Sequence, residues 1–254
     1  MATRRKQPRS ALGALALTVQ ARTAPVRITG LRGAAKSAVA AELIRAHAGR
    51  PVLLVGASAK SGDALAEDLR TMLGEDSESR RLRAFPRHDT LPYDRFSPQP
   101  FLTAQRMDVL YRWLSFAEQP GDEPAPVVVS NWTALALRVP SRKVLRSRAK
   151  SIEVGAEQDR DAWVEDLLRD GYQRMPLVAE PGEIAVRGGI VDFYPPHSRH
   201  PLRLEFFGDE VDSIREFDPT TQRSLNRISS AVASPPRELL FRRDDIVEHG
   251  DDLR

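Results

Sequence analysis

The sequence contains no cysteine and little net charge, and each lack narrows what can be concluded about function. Without cysteine there is no disulfide framework and no thiolate metal site, which fits a reducing cytoplasm as the expected location. A net charge of +3 over 254 residues does not by itself imply a nucleic-acid partner. No apolar run approaches the length needed to cross a bilayer, so no membrane partner is expected. Residues 11–19, ALGALALTV, follow a basic start but lack the strongly apolar core and small-residue cleavage site of a signal peptide, and an amphipathic N-terminal helix is expected there. The five histidines are scattered. His197 and His200 are near each other, but in a proline-flanked loop without an acid cluster, which reads as a solvated loop rather than a metal site. No nucleophile stands beside a base and an orienting group, so no catalytic residue is assigned, and the sequence shows no internal repeat.

What is present is enough to fold. At 41% hydrophobic residues the chain can bury a core as one large domain or two modest ones. Its cations are unevenly placed. Residues 1–32 hold Arg4, Arg5, Lys6, Arg9, Arg22, Arg27 and Arg32 without an acid, and residues 138–150 hold Arg138, Arg142, Lys143, Arg146, Arg148 and Lys150 without one. Such runs can meet phosphates through counterion release, or can simply be solvated faces.

Strand-like and helix-like segments alternate through the first half. Val26–Thr29 reads as a short strand, Gly30–Ser37 (GLRGAAKS) opens a helix to His47, and Pro51–Gly56 reads as a second strand. Ser58–Leu73 reads as a helix, Arg83–Phe85 as a strand, Leu102–Phe116 as a helix and Val127–Ser130 as a strand. This order predicts a parallel sheet covered by helices, a RecA-like α/β layer. Strand, glycine turn and helix is also the geometry of a phosphate-binding loop. Against G-x-x-x-x-G-K-[ST], Gly30, Lys36 and Ser37 match, but Ala35 stands where the second glycine would let the backbone approach a phosphate. The strand at Val127–Ser130 ends in Asn131 with no acid pair to hold magnesium, so neither nucleotide hydrolysis nor a bound cofactor is expected in this chain.

The second half is organised around residues 181–217. Gly189–Tyr194 forms one apolar run, stopped by Pro195-Pro196, and Leu202–Phe207 forms another. In the latter Leu202, Leu204 and Phe206 share one face while Arg203, Glu205 and Phe207 share the other, the period of a half-buried strand. Gly208-Asp209 predicts a hairpin into Glu210–Phe217, which places the helicase-like Asp209-Glu210-Val211-Asp212 in that hairpin and not in a nucleotide site. Upstream, Ile152–Val154 reads as a strand, and Asp159 or Asp161 is expected to cap a helix to Arg169 that buries Trp163, Leu167 and Leu168. Downstream of Pro235-Pro236, Glu238–Arg254 reads as helical.

Three stretches together carry a resemblance: the arginine-glycine pair Arg187-Gly188 before an apolar strand with an acid in it, then R-x-E-F-F-G-D-E from Arg203, then the F-D-P-T-T-Q-R run at Phe217–Arg223. With L-P-Y-D-R-F-S-P in the loop His88–Pro100, this pattern resembles bacterial transcription-repair coupling factors, the Mfd family, and in shorter form the excision-repair helicase UvrB. UvrB has an extended tyrosine-rich hairpin near that loop, for which this chain has no room.

The resemblance implies a basic N-terminal arm or helix at 1–24 and a RecA-like domain with a degenerate P-loop at 25–120. It further implies an inserted small α+β domain with an antiparallel sheet at 121–228, and the start of a return to the RecA-like domain at 229–254, truncated. In this family the inserted domain binds UvrA, and the carry-over assigns that contact first to Arg187. Arg174 follows, displaced by one place because Gln173 comes directly after Gly171-Tyr172, and Arg203 is the third candidate. Arginine suits such a surface because its planar fork can both pair with a carboxylate and stack on apolar groups. ATP and magnesium, RNA polymerase and double-stranded DNA would belong to the motor and the other parts of a longer protein. Two other readings fit the same residues: a nucleotide-binding domain, or a UvrB-like helicase fragment with residual ATP or DNA binding.

Overall fold

A computed structural model describes residues 11–20, 24–74, 81–90, 94–119 and 125–238. The chain divides into two compact units, residues 1–87 with 112–137, and residues 88–111 with 138–254.

In the first unit three parallel strands form a sheet: β1 (Val52–Gly56), β2 (Leu82–Phe85) and β3 (Val127–Asn131), in the order β1-β3-β2. Val127 is in register with both Val52 and Leu82. The central strand reads VVVSN and is buried at every position, as expected of a parallel strand with neighbours on both edges. Helices α1 (Ala11–Gln20), α2 (Ala35–Ala46) and α3 (Ala59–Leu73) precede or separate the strands. Ile44 of α2 and Leu69 and Leu73 of α3 pack with Val127 and Val129 into one core. Ser58 starts α3 through a capping box, its hydroxyl accepting the Ser61 amide while Ser61 receives the Ser58 amide. α4 (Pro100–Glu118) continues from the second unit into the first, and the short α5 (Trp132–Leu135) follows β3.

One expected strand does not form. Val26–Thr29 is irregular and Val26 is exposed. Pro25 precedes it and Arg27 interrupts it, leaving only two strongly apolar residues to anchor four.

The second unit is built on a six-stranded sheet. Its strands are β5 (Gln173–Arg174), β6 (Glu183–Arg187), β7 (Ile190–Phe193), β8 (Leu202–Phe207), β9 (Glu210–Phe217) and β10 (Ser224–Ile228), in consecutive order. All neighbours are antiparallel except β5 and β6. α6 (Arg142–Arg148) and α7 (Arg160–Arg169) precede this sheet. Asp159 caps α7 by accepting the Ala162 amide at 2.9 Å. Trp163 and Leu167 of α7 then join Ile184, Val191, Phe193, Leu204 and Ile214 in a continuous core. Trp163 meets the edge of Phe193 with ring centroids 5.1 Å apart. Fully burying a side chain of the size of Phe193 contributes about 1.5–3 kcal/mol, so this cluster outweighs the isolated polar contacts at the rim.

A smaller two-stranded sheet closes the same unit. β4 (Lys150–Glu153) runs antiparallel to β11 (Ser230–Ala233), with Lys150 opposite Ala233 and Glu153 opposite Ser230. The chain leaving β11 is strapped down. The Tyr172 hydroxyl donates to the Ser234 carbonyl at 2.8 Å, and the Glu238 carboxylate meets the buried Arg106 and His88. Gly171 has φ +105 and lies under Arg237, so a side chain there would strike the strap. His197 is half-buried: its Nδ1 meets the Ser234 hydroxyl at 2.8 Å and its ring lies 4.4 Å from that of Tyr111, in place of the expected solvated loop. Glu238 itself is not helical, and the helix expected over the following residues lies outside the described part of the chain.

Beside this core sits a buried ion pair, Arg148 with Asp170 at 3.6 Å. Burial pushes the Asp170 carboxyl up from 3.8 to about 6, against the opposing pull of Arg148 and Lys150. The folded chain therefore holds a proton on Asp170 at pH values where the unfolded chain has released it. The stabilisation is complete below about pH 4 and is lost as the pH rises to about 6, and a displacement of about two pH units amounts to about 3 kcal/mol. Urea unfolding at a series of pH values is expected to show that loss in the wild type and a flatter profile in Asp170→Asn.

Candidate functional site

The strands β6, β7 and β8 present two faces. Ile184, Val191, Phe193 and Leu204 point into the core beneath α7. Between Val191 and Phe193, alternation turns Asp192 to the opposite face, in register with Ala185 on one side and Arg203 on the other. A carboxylate there is only 1% exposed, and it is covered by two arginines. Arg203 forks onto it, Nε donating to Oδ1 at 2.7 Å and Nη2 to Oδ2 at 2.9 Å. Arg187 Nη2 donates to the same Oδ2 at 2.5 Å. Three charge-assisted bonds offset the desolvation of one buried charge. The Asp192 hydrogen bonds also raise the pKa of Arg203 above its ordinary value.

Arg203 is held from its other side as well. Its guanidinium lies 4.6 Å from the centroid of the Phe217 ring, and Nη1 donates to the Gln222 carbonyl at 3.5 Å. The loop after Phe217 is shaped for this. Asp218 accepts the amides of Thr220 and Thr221, and Gln222 adopts φ +60 while its side-chain amide donates to the Val178 and Pro219 carbonyls. The F-D-P-T-T-Q-R run is thus the seat of Arg203.

Arg215 stands directly opposite Arg203 in the β8–β9 register, a like-charge pair that costs energy unless each has its own acid. Glu205 supplies the second, accepting Arg215 Nη2 at 3.0 Å and the Ser213 hydroxyl at 2.8 Å. At the end of this row, next to the Gly208 turn, Phe207 is 82% exposed. The result is a fixed ladder of alternating charge with an aromatic at one end, and the Arg187 side chain, 45% exposed, is its most accessible guanidinium on Asp192. Such a face can pair with an acidic, partly apolar protein surface.

The arginine candidates therefore separate. Arg187 and Arg203 meet on Asp192. Arg174 does not join them: it is exposed at the sheet edge, in register with Ile184, whose side chain lies in the core on the other face. The three P-loop candidates do not converge either. Gly30 has φ +81 with open space around it, Lys36 is exposed, and Ser37 is buried with its hydroxyl donating to Asp68 of α3 at 2.6 Å. The hydroxyl that would face magnesium in a phosphate loop is turned to helix packing. Asn131 likewise caps α5 by accepting the Ala134 amide.

A cavity of about 410 Å³ in the second unit is lined by Phe101, Pro181 and Pro236, with Glu238 among its charged groups. Several of those groups are engaged within the protein: Glu238 meets His88 and Arg106, and Glu183 accepts the amides of Ala179 and Glu180. Among the described residues there is no cluster of acids and histidines able to hold a metal ion, and no helix is long and apolar enough to cross a membrane.

Sequence reasoning missed the roles of Asp192, Glu205 and Arg215. The signal for Asp192 was present, an acid alternating with apolar residues in a strand, but its partners are set by cross-strand register. The turn that aims Arg187 was legible in part. Gly188 has φ +58, and a Cβ on Gly189 would lie 2.9 Å from the Phe206 carbonyl oxygen.

Residues 151–239 match the UvrB interaction domain family. The chain is similar to the transcription-repair-coupling factor of Myxococcus xanthus, 36% identical over 218 residues, which is 85% of this chain and 18% of that protein. It is similar to the protein of the same description from Bacillus subtilis, 33% identical over 86% of this chain and 18% of that protein, and to that from Escherichia coli K12, 32% identical over 87% and 18%. The chain thus spans 18% of the length of these relatives.

Gly189→Ala forces β7 away from β8, so it is expected to cost about 1–3 kcal/mol in urea unfolding. Asp192→Ala, which leaves two arginines without their buried partner, is expected to cost about 3–5 kcal/mol in the same measurement.

Proposed function

We propose that this chain, which carries the UvrB interaction domain and resembles transcription-repair-coupling factors along most of its length, is their N-terminal UvrA-docking module. The observation that carries the reading is the half-exposed Arg187 guanidinium held by the buried Asp192 within the matched residues. Because Asp192 already fixes the side chain, little rotamer freedom is lost when the remaining N–H donors meet a partner carboxylate. Arg203 is the positioning residue: it occupies the rest of Asp192 and leaves Arg187 at the surface. Arg174, at the sheet edge, is a separate contact for a partner that extends around that edge.

In this reading residues 25–120 belong to a RecA-like layer with a degenerate phosphate loop, supported by the parallel sheet and its flanking helices, and the layer also takes in the central strand β3 at Val127–Asn131. The docking domain inserted in it therefore starts after β3, later than residue 121, and runs to residue 228. The longer protein is a cytoplasmic, ATP- and magnesium-dependent DNA translocase that displaces stalled RNA polymerase through its other parts. This chain supplies recruitment and no hydrolysis. No observation favours the nucleotide-binding or helicase alternative, given where Ser37 and Asn131 are bonded.

Co-elution with UvrA on a sizing column tests the proposal. Wild type and Lys36→Ala are expected to share a peak with UvrA. Arg187→Ala is expected to lose at least about 2 kcal/mol of binding, roughly 30-fold in Kd, while keeping its fold. Equal affinity of Arg187→Ala and wild type would sink the assignment of this face.

A further inference from the structure

The basic run 138–150 is divided by the fold. Its inner members are neutralised: Arg148 is buried against Asp170 at 3.6 Å, and Lys150 is paired with Asp166, which also receives Arg169 at 3.2 Å. The side chains of Arg138, Arg142 and Lys143 are exposed and form no ion pair or hydrogen bond among the described residues. Ser141 caps α6 by accepting the Val144 amide at 3.3 Å, and Leu145 and Arg148 are the residues of the helix that are buried. At 3.6 residues per turn Arg142, Arg146 and Lys143 lie within about 100° of arc, Lys143 about 160° from Leu145 and Arg142 about 60° from it.

We propose that Arg138, Arg142 and Lys143 form a binding surface for the sugar-phosphate backbone of double-stranded DNA. The inner pairs matter to this surface, because the nearby acids Asp166 and Asp170 already have cations of their own and do not oppose a phosphate as bare charges. Residues 138–150 contain no aromatic side chain on which an unpaired base could stack, and no asparagine or glutamine to read a base edge. The surface therefore holds backbone and not sequence, and duplex rather than single strands. A protein partner fits it less well, since within residues 138–150 the exposed large apolar side chain is Val139 and a hot spot needs a larger buried anchor. The inference is independent of the UvrA reading, which concerns the face carrying Arg187.

The test is fluorescence anisotropy of a labelled duplex titrated with the whole chain at increasing salt. Three phosphate contacts correspond to a slope of about −2.7 in log K against log salt, or about 40-fold in affinity between roughly 50 and 200 mM. The triple variant Arg138→Ala, Arg142→Ala, Lys143→Ala is expected to flatten the slope by that amount and to bind duplex at least 10-fold more weakly at about 50 mM salt. Arg187→Ala, and a variant with Arg4, Arg5, Lys6 and Arg9 changed to alanine, are expected to keep the wild-type slope. A triple variant with unchanged slope and affinity overturns the proposal, as does equal binding of polyglutamate carrying the same number of charges.

Discussion

Placing the carboxylate of Asp192 inside a sheet obliges the surrounding sequence to answer it. Three strands contribute: β7 carries the acid, β6 ends in Arg187, and β8 begins with Arg203 one residue into its run. An uncompensated charge at 1% exposure would be costly enough to neutralise or to unfold the region, so Arg203, which forks onto Asp192, is a condition of the fold before it is a surface group. The same requirement reaches further along the chain. Phe217 and the Gln222 loop fix the far side of Arg203, and Glu205 relieves the repulsion that Arg215 would otherwise bring. An exposed guanidinium and a structural network thus share the same carboxylate.

The parts of this arrangement that depend on local spacing were legible. Period-two alternation marked β8, Gly208-Asp209 marked its hairpin, and Asp159 marked the start of α7. What depends on distant pairing was not. β11 reads SAVA and finds its partner about 80 residues earlier in β4, a distance over which neither strand carries a signal of the other. β5 has two residues, and its pairing puts Arg174 on the side of Ile184, away from Arg187, which residue type alone could not reveal.

The phosphate-loop segment shows a different limit. The letters at Gly30, Lys36 and Ser37 fit a pattern, but a pattern describes a loop only when a strand delivers it and a free hydroxyl awaits the ligand. Pro25 and Arg27 prevent the strand, and Asp68 takes the hydroxyl, in a residue 31 positions away. Charge runs behave similarly. The six cations of residues 138–150 look alike in sequence, yet packing against α7 sorts them into two that serve the interior and others that remain outside.

The pairing of β4 with β11 has a consequence for how this segment is joined to the chain. The chain enters this segment at Lys150 and leaves it at Ala233 directly across a two-stranded ladder, so everything between them is a closed loop whose ends lie one strand spacing apart. A host chain needs only a gap of that width to accept such a segment, and loop closure adds little entropy once the ladder has formed. Its ends have the geometry of a cassette, joined to the rest of the chain across a single ladder.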